Sequence, residues 1–220
     1  MATALAIWLN QLHVAMVERD RKGRLRLCYT DAAHEAFERG TPVLSLNLPL
    51  TTERYPNARN KYQEDAGPSL AAIARVLQGV ARNEDTETFL RALTLNVAIG
   101  NCDAHAKNFS LLHTESGALR LAPLYDLMST RLYPVDDKLA MYVDTVQKAD
   151  RVTSERIVNE ATSWGLRRQL AEDVVGDVLA RIPQAAASAA DEAADVPAKL
   201  VQLVLNRTKR LAAGQGAAEA

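Results

Sequence analysis

The 220-residue chain has only two cysteines, Cys28 and Cys102, far apart and without a CxxC or Cys/His spacing around either. That argues against a disulfide framework and against a cysteine-based zinc site, and it fits a reducing, cytoplasmic compartment. No run reaches 18 apolar residues, and the first twenty residues lack a basic segment ahead of a long apolar core. Neither a membrane span nor a secretory leader is expected. Positive charge is not in surplus either: 26 Lys and Arg stand against 27 Asp and Glu, a formal charge of −1. The chain as a whole has no field to draw in nucleic acid or anionic lipid. With ten glycines, eight prolines, 48% hydrophobic and 24% charged residues, the composition excludes collagenous and low-complexity classes and predicts a packed core.

The hydrophobic pattern changes period along the chain. Short apolar runs, LAIWL, VAMV and LRLCY, alternate with polar breaks between Ala4 and Tyr29, which reads as an antiparallel β meander with Lys22-Gly23 at a hairpin tip. A further extended piece runs from Val43 to Leu50, and the aperiodic stretch TTERYPNARNKYQEDAGPS then marks a boundary. Beyond Ser69 the period is helical. Leu70, Ile73, Leu77 and Val80 share a face behind Ser69 as cap, and a helix from about Thr86 to Gly100 turns Phe89, Leu90, Leu93 and Val97 inward. A hairpin is expected from Phe109–His113 and Leu119–Leu121. Helices follow over Ile157–Trp164, over Leu170–Ile182 with Pro183 as stop, and over Ala198–Ala213. The AAASAADEAAD stretch reads as a linker or a solvated helix, and residues 214–220 as a frayed tail.

Chemistry concentrates in one place. Asn101, Asp103, His105, Lys107 and Asn108 crowd a single loop, and Asp126 follows after one hairpin. In kinases a loop aspartate accepts the proton of the acceptor hydroxyl, an asparagine after four intervening residues ligates magnesium, and a later aspartate holds the metal on the nucleotide. Asp103 and Asn108 have that gap of four. Hard oxygen donors such as the Asn108 amide and the Asp126 carboxylate suit Mg²⁺, and the Lys107 ammonium could neutralise a transferring phosphoryl group.

GNCDAHAKNFSLL followed by LAPLYDLMST closely resembles the HipA family of bacterial serine/threonine kinase toxins, whose loop reads NxDxHxKN and whose metal motif reads YD. The resemblance implies an α+β fold: a small antiparallel β subdomain at residues 1–60, a mainly helical kinase-like C-lobe at 61–213, and a flexible tail at 214–220. It makes Asp103 the base, Asn108 and Asp126 the Mg²⁺ ligands that carry ATP, and His105 and Lys107 supporting members. It further implies a helix-turn-helix antitoxin of the HipB type as partner, DNA reached only through that antitoxin, and a protein substrate such as an aminoacyl-tRNA synthetase.

Part of the expected machinery has no residues to carry it. The glycines fall at 23, 40, 67, 79, 100, 117, 165, 176, 214 and 216, so neither GxGxxG nor GxxxxGK[ST] is spelled, and no lysine sits in a VAIK-like strand. The resemblance places a nucleotide-binding region between the β subdomain and KYQEDAGPS, whereas here the two abut near Asn60-Lys61. An internal deletion follows from that comparison. Two functions are therefore carried forward: a kinase of doubtful autonomous turnover, and a non-catalytic module that binds an antitoxin or other partner.

Overall fold

A computed structural model describes residues 3–9, 11–19, 25–39, 43, 61–114, 117–133, 137–193 and 196–217. Strands β1 (Thr3–Leu9), β2 (Leu12–Arg19) and β3 (Leu25–Tyr29) form an antiparallel sheet in chain order. These are the three expected apolar runs. A short helix, α1 (Asp31–Ala36), begins where the Thr30 hydroxyl accepts the Ala33 amide at 3.2 Å. Val14, Ala15, Tyr29, Ala33 and Val43 form the apolar cluster beneath this sheet. The expected hairpin tip at Lys22-Gly23, the extended piece beyond Val43 and the boundary stretch to Asn60 lie outside the described residues.

The larger cluster is built around one helix, α3 (Asn83–Ile99), which packs against α2 (Leu70–Val80), α4 (Ser154–Ser163), α5 (Arg168–Glu192) and α6 (Ala198–Ala212). Ser69 caps α2 as expected, its hydroxyl accepting the Ala72 amide at 3.2 Å. Helix α3 starts three residues earlier than Thr86, because the Asp85 carboxylate accepts the Arg82 amide at 3.1 Å and satisfies a donor the helix itself leaves open. All four residues expected to face inward are buried, with Phe89 edge-on to Phe109 at 4.9 Å and beside Trp164 at 5.1 Å. Two hairpins complete the fold: β4 (Leu111–His113) with β5 (Leu119–Leu121), and β6 (Lys138–Val143) with β7 (Val146–Lys148). The architecture is α+β. The two clusters meet at His113, whose ring lies against Phe37 at 5.8 Å and whose Nε2 is 2.8 Å from the Val43 carbonyl.

Two expectations are corrected. Pro183 does not stop a helix: α5 runs through it to Glu192. The alanine-rich segment that follows has the highest helix propensity available, which offsets the lost backbone donor. Residues 214–217 are not frayed: the Ala217 amide bonds the Val152 carbonyl at 3.1 Å, and Arg210 holds the Gly216 carbonyl at 2.8 Å. The fully buried Arg207 also donates to the Ala217 carbonyl. No helix of the described residues is long and apolar enough to cross a membrane.

Candidate active site

The site starts where α3 ends. Gly100, at φ 73°, turns the chain left-handed, so its amide bonds the Val97 carbonyl at 3.2 Å and the Asn101 amide bonds the Asn96 carbonyl at 2.9 Å. This closes the helix and aims the next residues away from its axis. Asn101, buried at that exit, is a hub: its Nδ2 donates to Asn96 Oδ1 at 2.9 Å and to the Asp126 carbonyl at 3.2 Å, while its Oδ1 accepts the Asp103 amide at 3.2 Å. One side chain thereby ties the loop that bears Asp103 to the segment that bears Asp126. Thr130 braces the same loop, its hydroxyl accepting the Cys102 amide at 2.9 Å and donating to the Gly100 carbonyl at 3.1 Å.

A short 3-10 turn, Ala106–Asn108, follows. The Asn108 Oδ1 accepts the His105 amide at 2.9 Å, and its Nδ2 donates to Asp126 Oδ2 at 2.6 Å. Both partners fix the orientation of the amide, since a flip would set donor against donor and oxygen against carboxylate. The β4–β5 hairpin makes this meeting possible across 18 residues. It is pinned to the start of α3 by the buried Asp85, which accepts Arg120 Nε at 2.8 Å and the Leu121 amide at 3.2 Å. Asp126 itself has φ 57°, a left-handed backbone that aspartate tolerates better than most residues and that recurs at functional sites.

Asp103 is half-buried. Its Oδ1 accepts the Tyr62 hydroxyl at 2.7 Å and lies 3.4 Å from Lys61 Nζ. The Lys61 ammonium also sits 4.6 Å over the Tyr62 ring; hydrogen bonding to the Tyr62 hydroxyl, then the Asp103 charge, raises its pKa above the ordinary lysine value. His105 is buried, with its ring edge-on to Tyr62 at 6.1 Å and its Nδ1 without a hydrogen-bond partner among the described residues. Burial, then the nearby Lys61 charge, lowers its pKa, so the neutral imidazole is favoured. Lys107 is exposed, and its carbonyl accepts the Tyr125 hydroxyl. Beside Asp103 opens a cleft of about 590 Å³, bordered by Tyr62, Met128, Thr130, Tyr133 and Lys138.

Residues 4–186 match the HipA-like C-terminal domain family. The chain belongs to that family. It is 34% identical over 120 residues to the serine/threonine-protein kinase toxin HipA of Shewanella oneidensis, covering 54% of this chain and 26% of that protein. It is 40% identical over 86 residues to Y4mE of Sinorhizobium fredii, covering 38% of this chain and 20% of the relative. The matches thus span only 26% and 20% of the length of these two curated relatives. Among solved structures, HipA from the Shewanella oneidensis complex of HipA, HipB and operator DNA superimposes with a TM-score of 0.59 at 22% identity, over 91% of this chain and 50% of that one. That likeness speaks to the HipA fold.

The loop and hairpin residues singled out from sequence converge: Asn108 touches Asp126, and Asn101 links Asp126 to Asp103. Lys61 and Tyr62 were missed, since they lie in an aperiodic stretch 42 and 41 residues before Asp103. Nothing local signals that contact.

Proposed function

We propose that this chain carries the acceptor and metal half of a HipA-type serine/threonine protein kinase site. The observation that supports it most is the Asn108–Asp126 contact at 2.6 Å, joined through the single side chain of Asn101 to Asp103. The donor set fits magnesium. Asp126 is exposed and keeps one carboxylate oxygen clear of Asn108, and Asn108 Oδ1 has a second lone pair beyond the one given to His105. Magnesium shares its coordination with phosphate oxygens and water, so one carboxylate and one amide are a sufficient protein contribution. When bound, the ion would offset charge on the nucleotide phosphates. Asp103 would take the proton of a protein Ser or Thr hydroxyl, and Asn101 would hold the Asp103 backbone in register with Asp126.

A second reading is favoured by one feature: no glycine-rich phosphate loop or strand lysine is spelled in the sequence. On it, the chain is a partner-binding module derived from such a kinase, with a HipB-type antitoxin as the partner. Titration calorimetry with Mg·ATP separates the two. Heat from the wild-type chain that disappears in Asp126→Ala supports the kinase site, and no heat at millimolar ATP refutes it. Where transfer to protein Ser or Thr is measured with labelled ATP, Asp103→Asn is expected to abolish it.

A further inference from the structure

The two oxygens of Asp103 are not equivalent. Both the Tyr62 hydroxyl, at 2.7 Å, and the Lys61 ammonium, at 3.4 Å, address Oδ1, while Oδ2 has no hydrogen-bond partner among the described residues. We propose that Lys61 and Tyr62 are positioning residues that hold Asp103 by Oδ1 and leave Oδ2 to receive the acceptor proton. The inference rests on the kinase reading above and adds to it the residues that aim its base.

The placement of Tyr62 does not depend on Asp103. Its carbonyl accepts the amides of Asp65, at 3.1 Å, and Gly67, at 2.9 Å, closing a 3-10 turn over Gln63–Asp65. Gln63 Oε1 accepts the Tyr142 amide on β6 at 2.8 Å, and Glu64 accepts Gln147 Nε2 on β7 at 2.7 Å. The hairpin β6–β7 therefore anchors the turn from below, and His105 flanks the ring edge-on. A phenol fixed by this many contacts can dictate where a half-exposed carboxylate points. Without it, Asp103 at 41% side-chain exposure has little else to choose its rotamer.

In the transfer step the acceptor O–H bond breaks and its proton passes to Asp103 Oδ2. The acceptor oxygen forms a bond to the γ-phosphorus of ATP as the bond to the β-γ bridging oxygen breaks, and ADP leaves with that electron pair. Tyr62 donates its hydroxyl to Oδ1 and takes no part in the bond changes. Lys61, 3.4 Å from Oδ1, adds a second hold on that oxygen.

The test compares the full chain with Tyr62→Phe, Lys61→Met and Lys61→Arg, using labelled ATP, magnesium and a Ser/Thr protein acceptor. We expect kcat to fall about tenfold or more in Tyr62→Phe, as for a misaimed catalytic group, with KM for ATP within about twofold and urea midpoint near wild type. Lys61→Arg should retain more transfer than Lys61→Met. An unchanged kcat in Tyr62→Phe overturns the proposal alone, as does phosphate on the Tyr62 oxygen, which would make that hydroxyl an acceptor. A wild-type chain without transfer overturns the kinase reading and this inference with it.

Discussion

Gly100 joins the fold to the site, and replacing it by alanine should disturb both. At φ 73° a Cβ would stand 2.7 Å from Arg131 Cγ and 3.3 Å from both Arg131 Cβ and Arg207 Nε. The left-handed backbone alone costs an L-residue about 1–2 kcal/mol. Relieving the overlap requires Arg131 to move, and Arg131 is paired with Asp150 at 3.2 Å, while Arg207 is wholly buried and cannot yield. Overpacking of this kind adds about 1–3 kcal/mol, so Gly100→Ala should destabilise by about 2–5 kcal/mol. Gly176 is the internal control: it lies within α5, where a Cβ meets nothing within 4 Å. There the same substitution should stabilise by about 0.5–1 kcal/mol, because alanine loses less backbone entropy in a helix. Urea denaturation with a common slope gives both values from the shift in midpoint. Equal signs for the two variants, or a Gly100→Ala loss under about 1 kcal/mol, would refute the account of how α3 ends.

Other regions offer independent tests. Ending the chain at Gln215 removes the Gly216 and Ala217 carbonyls from Arg210 and Arg207; leaving a buried guanidinium short of a partner should cost about 1–3 kcal/mol, measured by thermal melting, whereas a frayed tail would cost nothing. Pro183→Ala should stabilise α5 by about 1–3 kcal/mol, since it restores an amide facing the preceding turn; hydrogen exchange slowed on both sides of position 183 checks that the helix is continuous. Iodoacetamide should modify the half-buried Cys28 before Cys102, whose thiol is buried and whose pKa is pushed up chiefly by that burial. Peptide mapping by mass spectrometry reads the order, and faster labelling of Cys102 would contradict its placement beneath the loop.

What could be foreseen depended on the distance over which the deciding interaction acts. The inward face of α3, the Ser69 cap and the glycine at residue 100 are local signals, and each is realised. Asp103, Asn108 and Asp126 stood out because a reaction demands those groups at that spacing, and the hairpin between them needed only a turn. Pro183 misled because a single-residue rule was weighed without the alanine run beyond it, which favours helix over many residues at once. The left-handed backbone of Asp126 is not announced by sequence, since aspartate tolerates that conformation without requiring it.

The β6–β7 hairpin had the largest consequence of the elements not foreseen. Its first strand, KLAMYV, buries four of six residues, in the pattern exposed, buried, buried, buried, intermediate, buried, so the alternation that would announce a strand is erased by burial on both faces. Without that hairpin nothing anchors Gln63 and Glu64, and without them the residues just before, Lys61 and Tyr62, read as linker. The proposed base was therefore visible in its motif, while the groups proposed to aim it were not. Removing the anchor should accordingly mimic removing the phenol. Gln63→Ala, which deletes the acceptor of the Tyr142 amide at 2.8 Å, should reduce transfer in the same direction as Tyr62→Phe although Gln63 has no bond to Asp103. If labelled-phosphate assays found full transfer in Gln63→Ala and a loss in Tyr62→Phe, the phenol would be held by something other than the β6 contact, and the chain of support from hairpin to base would be broken.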